Sequence, residues 1–179
     1  MAPSPTPWAL LANAFTLLRA VLAPVIGWLL VSGGARWWAL GLFGFAALTD
    51  ALDGWIARRL LVVTRWGQLA DPLADKALIV GTMAVLAWLQ ELPWLAVGVI
   101  VVRELAVTLQ RLVLVRRGVV MPASVSGKVK TVTQVVAVTL YLLPGSVGTV
   151  REIALWTAVG VTVVSGVEYA WRRERLLGG

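Results

Sequence analysis

Cysteine and histidine are both absent from this chain of 179 residues. Without cysteine there is no disulfide framework, no zinc–thiolate site and no thiol nucleophile. Without histidine there is no imidazole base and no imidazole metal ligand, so acid–base or metal chemistry falls to the nine carboxylates. Charge is scarce as well. Only 14% of residues are charged and 59% are hydrophobic, against ~25% and ~45–50% in soluble domains. That leaves too little polar surface to cover a water-soluble globule, and no bias toward disorder or collagen. Long uncharged runs are few: residues 131–150 form the only charge-free window longer than 18 residues.

These deficits point to a membrane protein whose spans carry charges toward their ends. At roughly 20 residues per spanning helix, six helices take about 120 residues and leave short loops. The expectation is an all-α, polytopic integral membrane protein with six transmembrane helices. It forms a single domain over residues 1–179, with residues 1–9 as a short interfacial lead-in. The net charge of +7 suits nucleic acid or an anionic membrane surface. In so apolar a chain it favours the membrane and anionic phosphate ligands, and no nucleic acid partner is expected.

Helices are predicted at roughly Leu10–Val31, Trp37–Arg59, Gly67–Trp88, Leu92–Val115, Lys130–Leu143 and Ile153–Trp171. Breakers mark the turns at Ser32-Gly33-Gly34, Glu91-Leu92-Pro93 and Pro144-Gly145-Ser146. With both termini on one side, that side receives Arg58, Arg59, Arg65, Arg111, Arg116, Arg117, Lys128, Lys130, Arg172, Arg173 and Arg175. The other receives only Arg36 and Arg151 as cations, so both termini are assigned to the cytoplasm of a multi-pass cell (inner or plasma) membrane protein. Trp37, Trp38, Trp88, Trp94 and Trp156 then fall at the outer interface, and Trp8, Trp55, Trp66 and Trp171 at the inner one. Glu91, Arg151 and Glu152 read as ordinary loop charges. Ala12-Asn13-Ala14 has the form of a signal cleavage site, but no cation precedes it and the apolar run before it is too short.

Four of the nine acids, Asp50, Asp53, Asp71 and Asp75, fall within 26 residues. Asp50 and Asp53 stand at i,i+3 on one helix, with Gly54 and Ala57 continuing the stripe. Gly67, Asp71 and Asp75 stand at i,i+4,i+8 on the next. Two carboxylates per helix face, beside residues of little bulk, repel one another unless cations neutralise them. Oxygen donors without His or Cys suit Mg²⁺, Mn²⁺ or Ca²⁺ and not zinc. Two such ions ~3.5–4 Å apart can hold a pyrophosphate and stabilise both attacking and leaving oxygens. Salt bridges to Arg58, Arg65 and Lys76 are the plainer alternative, weighed against the rarity of idle acids in membrane helices.

Residues 50–75 read D-x2-D-G-x2-A-R-x8-G-x3-D-x3-D, which resembles the signature of the CDP-alcohol phosphotransferase family at all eight positions. The resemblance implies a six-helix, usually homodimeric membrane enzyme with a cytoplasm-facing active site. Such an enzyme transfers a phosphatidyl or related group from a CDP-activated donor, here CDP-diacylglycerol, to an alcohol and releases CMP. It implies a two-metal site, Mg²⁺ or Mn²⁺, on Asp50, Asp53, Asp71 and Asp75, with Asp75 also the general base. It further implies nucleotide and CDP-lipid binding at Asp50, Asp53, Gly54, Ala57, Arg58 and Gly67, and at Asn13, Thr16 and Arg19 of an Asn-x2-Thr-x2-Arg stretch. Ala12 stands where a proline often precedes that asparagine.

Arg103 and Arg111 lie eight residues apart on one predicted helix, and Gly127-Lys128-Val129-Lys130-Thr131 opens the next. Together Arg103, Arg111, Lys128 and Lys130 form a candidate pocket for the phosphate of the acceptor. Arg103 lies deep enough in its helix to be costly if idle, whereas positive-inside charges can simply touch anionic headgroups. Within the family, Thr64-Arg65-Trp66-Gly67, Asp71 to Lys76, Arg103-Glu104, Gly127 to Thr131 with Gln134, and Ser165-Gly166-x2-Tyr169 are most similar to members that use sn-glycerol 3-phosphate as acceptor. Inositol phosphate, serine and phosphatidylglycerol are the competing acceptors. A divalent-cation transporter is the alternative of another class; the clustering of all four aspartates at one membrane face weighs against it.

Overall fold

Among the described residues six helices follow one another and no strand occurs: α1 (Pro7–Val31), α2 (Arg36–Leu60), α3 (Arg65–Trp88), α4 (Trp94–Arg116), α5 (Val125–Leu142) and α6 (Gly148–Leu177). The computed structural model describes the backbone of residues 7–60, 65–116 and 125–177, and the side chains of 17–49, 76–110, 112–114 and 125–171. Two helices, α5 and α6, begin five residues earlier than the sequence suggests. α5 starts five residues before Lys130, because Ser126, Gly127 and Lys128 join the helix although serine and glycine are poor helix formers. α6 starts at Gly148, so Arg151 and Glu152 are helical and not loop residues.

Each short turn is closed by the backbone itself. Gly33, at φ 76°, ends α1 in the left-handed conformation that glycine adopts without strain. At the end of α3, Glu91 N–H donates to the Leu86 carbonyl and Gln90 N–H to that of Ala87, both at 3.0–3.1 Å. That is the pattern of a Schellman cap, with Gln90 at φ 61° in the place glycine usually fills. Pro93 follows and stops the helix from continuing.

α1 packs on α2 and α3, while α4 and α5 pack on α6; α3 also touches α4 and α5, and α2 touches α5. In lipid no hydrophobic force pulls helices together, so close van der Waals contact must do so. Ala39, Ala46, Ala87, Ala96, Ala137 and Ala158 are fully buried and let the backbones approach. Phe43, Met83, Leu86, Ile100 and Tyr141 fill the space between them. The outward faces are apolar instead: Leu17, Val21 and Trp28 on α1, Leu105 and Leu109 on α4, Val132 and Val136 on α5, and Val164 and Val167 on α6 are all exposed. Such all-round apolar exposure is the surface of a protein whose solvent is lipid. Among the described residues, Gly148–Trp171 is long and apolar enough to cross a membrane by itself, with shorter apolar stretches at Leu17–Val31 and Lys76–Trp88.

One end of the bundle is clasped. Arg36, at the start of α2, donates from Nη1 to Glu91 Oε1 at 3.0 Å and from Nη2 to Glu91 Oε2 and to the Tyr141 carbonyl, the last at 2.8 Å. The Arg151 guanidinium lies 5.2 Å from the centroid of the Tyr141 ring. Glu91 and Arg151 are thus interhelical links and not idle loop charges. They gather the α1–α2, α3–α4 and α5–α6 turns at the same end, where Trp37, Trp38, Trp88 and Trp94 stand exposed.

Candidate active site

Asp50 and Asp53 lie in α2, and Asp71 and Asp75 in α3. The register expected for them, i,i+3 and i,i+4, is therefore carried by continuous helix. Depth follows from helix rise, at 1.5 Å per residue. Asp50 lies about 21 Å along α2 from the clasped end, and Asp75 about 20 Å along α3. Glu104 on α4 and Lys130 on α5 lie about 15 and 18 Å from the same end. All four therefore stand at a similar level, near the middle of the bundle. The side chains of Asn13, Thr16, Asp50, Asp53, Ala57, Arg58, Asp71, Asp75 and Arg111, and the surroundings of Gly54 and Gly67, lie outside the described part of the structure.

What is described beside them is a buried ionic cluster drawn from four helices. Glu104, 7% exposed, stands at its centre. Its Oε1 accepts from Arg103 Nη1 at 3.0 Å and from Lys130 Nζ, and its Oε2 lies 3.7 Å from Lys76 Nζ. Lys76, the residue after Asp75, also donates to Thr108 Oγ1 and, at 3.4 Å, to the Glu104 carbonyl. Arg103 donates from Nη2 to Ser165 Oγ at 2.7 Å, and its guanidinium lies 5.7 Å from the centroid of the Tyr169 ring. A polar chain continues away from it: Ser165 donates to the Thr162 carbonyl at 3.0 Å, and Gln134 donates to Thr162 Oγ1 at 2.9 Å. The Arg103 Nε is buried with no hydrogen-bond partner.

Local sequence explains this convergence. On α5, Lys130, Gln134, Ala137 and Tyr141 recur at i,i+4,i+7,i+11, and all four are buried. Lys128, two residues away and so on another face, is exposed. Of the four cations expected to form an acceptor pocket, the structure brings Arg103 and Lys130 together, leaves Lys128 exposed and does not describe the Arg111 side chain. On α6, Gly166 admits Arg103: a Cβ there would stand 3.1 Å from Arg103 Cγ. Arg19 of α1 is 2% exposed. The sequence reading passed over Glu104 as a site residue. Its signal was present, since an acid beside an arginine inside an apolar helix is an intramembrane ionisable pair.

A buried cluster of this kind needs every member. Removing one partner from a buried ion pair costs about 3–5 kcal/mol in soluble proteins, because a bare charge stays behind. Arg103 and Lys130 share the single carboxylate of Glu104, so these three side chains keep a surplus of positive charge. Such a surplus suits an oxyanion, while the Arg103 Nε, beside Gly166, is buried without a hydrogen-bond partner.

Comparison with known proteins agrees with the sequence signature. Residues 9–164 match the family model of the CDP-alcohol phosphatidyltransferases, a span that begins in α1 and ends in α6. The chain belongs to the CDP-alcohol phosphatidyltransferase family. It is therefore an enzyme, a phosphatidyltransferase. A Mycobacterium tuberculosis protein named as a probable phosphatidylglycerophosphate synthase is 42% identical over 176 residues, covering 94% of this chain and 84% of that one. The Bacillus subtilis CDP-diacylglycerol–glycerol-3-phosphate 3-phosphatidyltransferase is 44% identical over 133 residues, 72% of this chain and 69% of its own length. The Rickettsia typhi protein of the same name is 36% identical over 172 residues, 89% of this chain and 94% of its own. Within this phosphatidyltransferase, the ionic cluster of α3 to α6 stands near the level of Asp50 and Asp75.

Proposed function

We propose that this phosphatidyltransferase is a phosphatidylglycerophosphate synthase: it transfers the phosphatidyl group of CDP-diacylglycerol to sn-glycerol 3-phosphate and releases CMP. The observation that carries the acceptor is the buried pairing of Arg103 and Lys130 at the level of Asp75, with positive charge in excess and one guanidinium nitrogen unpartnered. Cations so deep in an apolar bundle are costly unless they serve a ligand, and a phosphorylated alcohol offers the matching charge. The names of the Mycobacterium, Bacillus and Rickettsia relatives support the same acceptor.

Asp50, Asp53, Asp71 and Asp75 hold divalent cations, two Mg²⁺ or Mn²⁺, as the oxygen-only donor set suits hard ions. When bound, these ions neutralise charge on the pyrophosphate and on the departing nucleotide. Asn13, Thr16, Arg19, Gly54, Ala57, Arg58 and Gly67 bind the CDP moiety. Arg103 and Lys130, assisted by Arg111, hold the acceptor phosphate and orient its free hydroxyl. Asp75 takes the proton from that hydroxyl. The oxygen attacks the lipid-side phosphorus, a new P–O ester forms, the pyrophosphate P–O bond breaks in line, and CMP leaves.

The six helices each span the membrane as a single domain, with both termini and the active site on the cytoplasmic side and the clasped end outside. The enzyme works as a homodimer. Purified protein supplied with CDP-diacylglycerol, Mg²⁺ and each acceptor in turn tests the reading. CMP release with glycerol 3-phosphate is expected. Release with inositol phosphate, serine or phosphatidylglycerol alone would overturn the acceptor, and no release with any alcohol would overturn the mechanism.

A further inference from the structure

We propose that Glu104 is a positioning residue of the acceptor site: its carboxylate fixes Arg103 and Lys130 in the orientation that receives the acceptor phosphate. This rests on the reading of Arg103 and Lys130 as phosphate ligands. The two cations come from different helices, α4 and α5, and meet on one oxygen, Glu104 Oε1. Lys130 has four flexible methylenes and Arg103 three, so nothing in their own stems brings the two heads together. Glu104 supplies that restraint from one side of the guanidinium, and Ser165 Oγ, 2.7 Å from Nη2, supplies it from the other. With both Nη atoms held, the guanidinium has one defined plane, and its Cζ lies 5.7 Å from the centroid of the Tyr169 ring. Its Nε remains buried without a partner.

Charge points the same way. Arg103 and Lys130 share the one carboxylate of Glu104, which leaves these three side chains with positive charge in excess. A phosphate monoester dianion is drawn to that excess; an unphosphorylated alcohol is not. A second carboxylate on the pair would cancel the attraction, whereas no carboxylate would leave two like charges to push apart. Glu104 is thus suited both to aim the cations and to set their charge for a phosphorylated acceptor. A plain counter-ion would do neither, and its loss would be felt in stability without regard to which substrate is varied.

Steady-state kinetics of the full-length enzyme in detergent micelles separate the two roles. Glu104→Gln keeps the shape but removes the charge, and Glu104→Asp keeps the charge but withdraws it by one methylene. Glu104→Gln is expected to raise the KM for glycerol 3-phosphate at least tenfold and Glu104→Asp about threefold, the scale of a lost or lengthened charged hydrogen bond. The KM for CDP-diacylglycerol should stay within twofold in both. If Glu104→Gln does not yield folded protein, Glu104→Asp decides alone. An unchanged acceptor KM, or an equal rise for both substrates, overturns the proposal. Arg103→Ala is the companion variant. A raised acceptor KM there, with Glu104→Gln and Glu104→Asp silent, defeats the positioning role and spares the pocket. Silence in all three defeats the pocket and the inference with it.

Discussion

Gly166 gives the sharpest handle on how α6 shapes the acceptor site. A methyl group at this position would stand 3.1 Å from Arg103 Cγ and 3.7 Å from its Nε. Carbon atoms rest at about 3.5–4.0 Å, so Gly166→Ala forces a separation of roughly 0.4–0.9 Å. The α6 backbone is held by its own ladder, so the Arg103 side chain is the part that gives. Its Nη2 bond to Ser165 Oγ, now 2.7 Å, is the contact that such a shift stretches. A hydrogen bond to a charged group is worth about 1.5–3 kcal/mol. Losing about half of it corresponds to a change of about threefold to twelvefold in an equilibrium constant, at about 1.4 kcal/mol per decade. The expected result is a rise of that size in the KM for glycerol 3-phosphate at saturating CDP-diacylglycerol, with the lipid KM unchanged. Ser165→Ala should move the same constant in the same direction. A Gly166→Ala enzyme with wild-type acceptor KM and a wild-type thermal midpoint would refute the argument that Arg103 is aimed by its contacts with α6.

Four further outcomes are expected. Asp75→Asn should abolish turnover while CDP-diacylglycerol binding remains measurable by calorimetry, and chelation of divalent cations should silence the wild-type enzyme until Mg²⁺ or Mn²⁺ is restored; turnover surviving either treatment contradicts the chemistry assigned to the aspartates. Arg36→Ala should lower stability by about 1 kcal/mol, a modest figure because the Arg36–Glu91 pair is partly exposed, and should leave kcat and both KM values unchanged, since the clasp lies at the other end of the helices. Gln90→Gly should stabilise the protein by about 0.5–1 kcal/mol in thermal unfolding, because relief of a left-handed non-glycine residue outweighs the added chain entropy of glycine.

How far the sequence revealed this molecule depends on the range of the interaction in question. Helix order was legible because Ser32-Gly33-Gly34, Pro93 and Pro144-Gly145 punctuate the chain and charges mark the helix ends. The starts of α5 and α6 were not, since Ser126, Gly127, Gly148 and Thr149 are weak helix formers that tertiary packing carries into the helix. Spacing alone placed Asp50 with Asp53 and Asp71 with Asp75, because i,i+3 and i,i+4 are properties of a single helix. Glu104 with Lys130, 26 residues on, and Arg36 with Glu91, 55 residues on, are properties of which helices become neighbours. Periodicity tells which way a residue faces along its own axis and is silent about what it meets. For the same reason Lys128 and Lys130 looked alike in sequence and proved opposite in burial.

The central claim is a transfer reaction, so its most direct measure is stoichiometry. Purified enzyme in mixed micelles would receive CDP-diacylglycerol, Mg²⁺ and radiolabelled glycerol 3-phosphate, with CMP and lipid-extractable label followed together. One CMP is expected for each glycerol 3-phosphate that enters the lipid phase, and neither should form without the acceptor. CMP appearing at the same rate without glycerol 3-phosphate, or with no label in the lipid, would contradict the account.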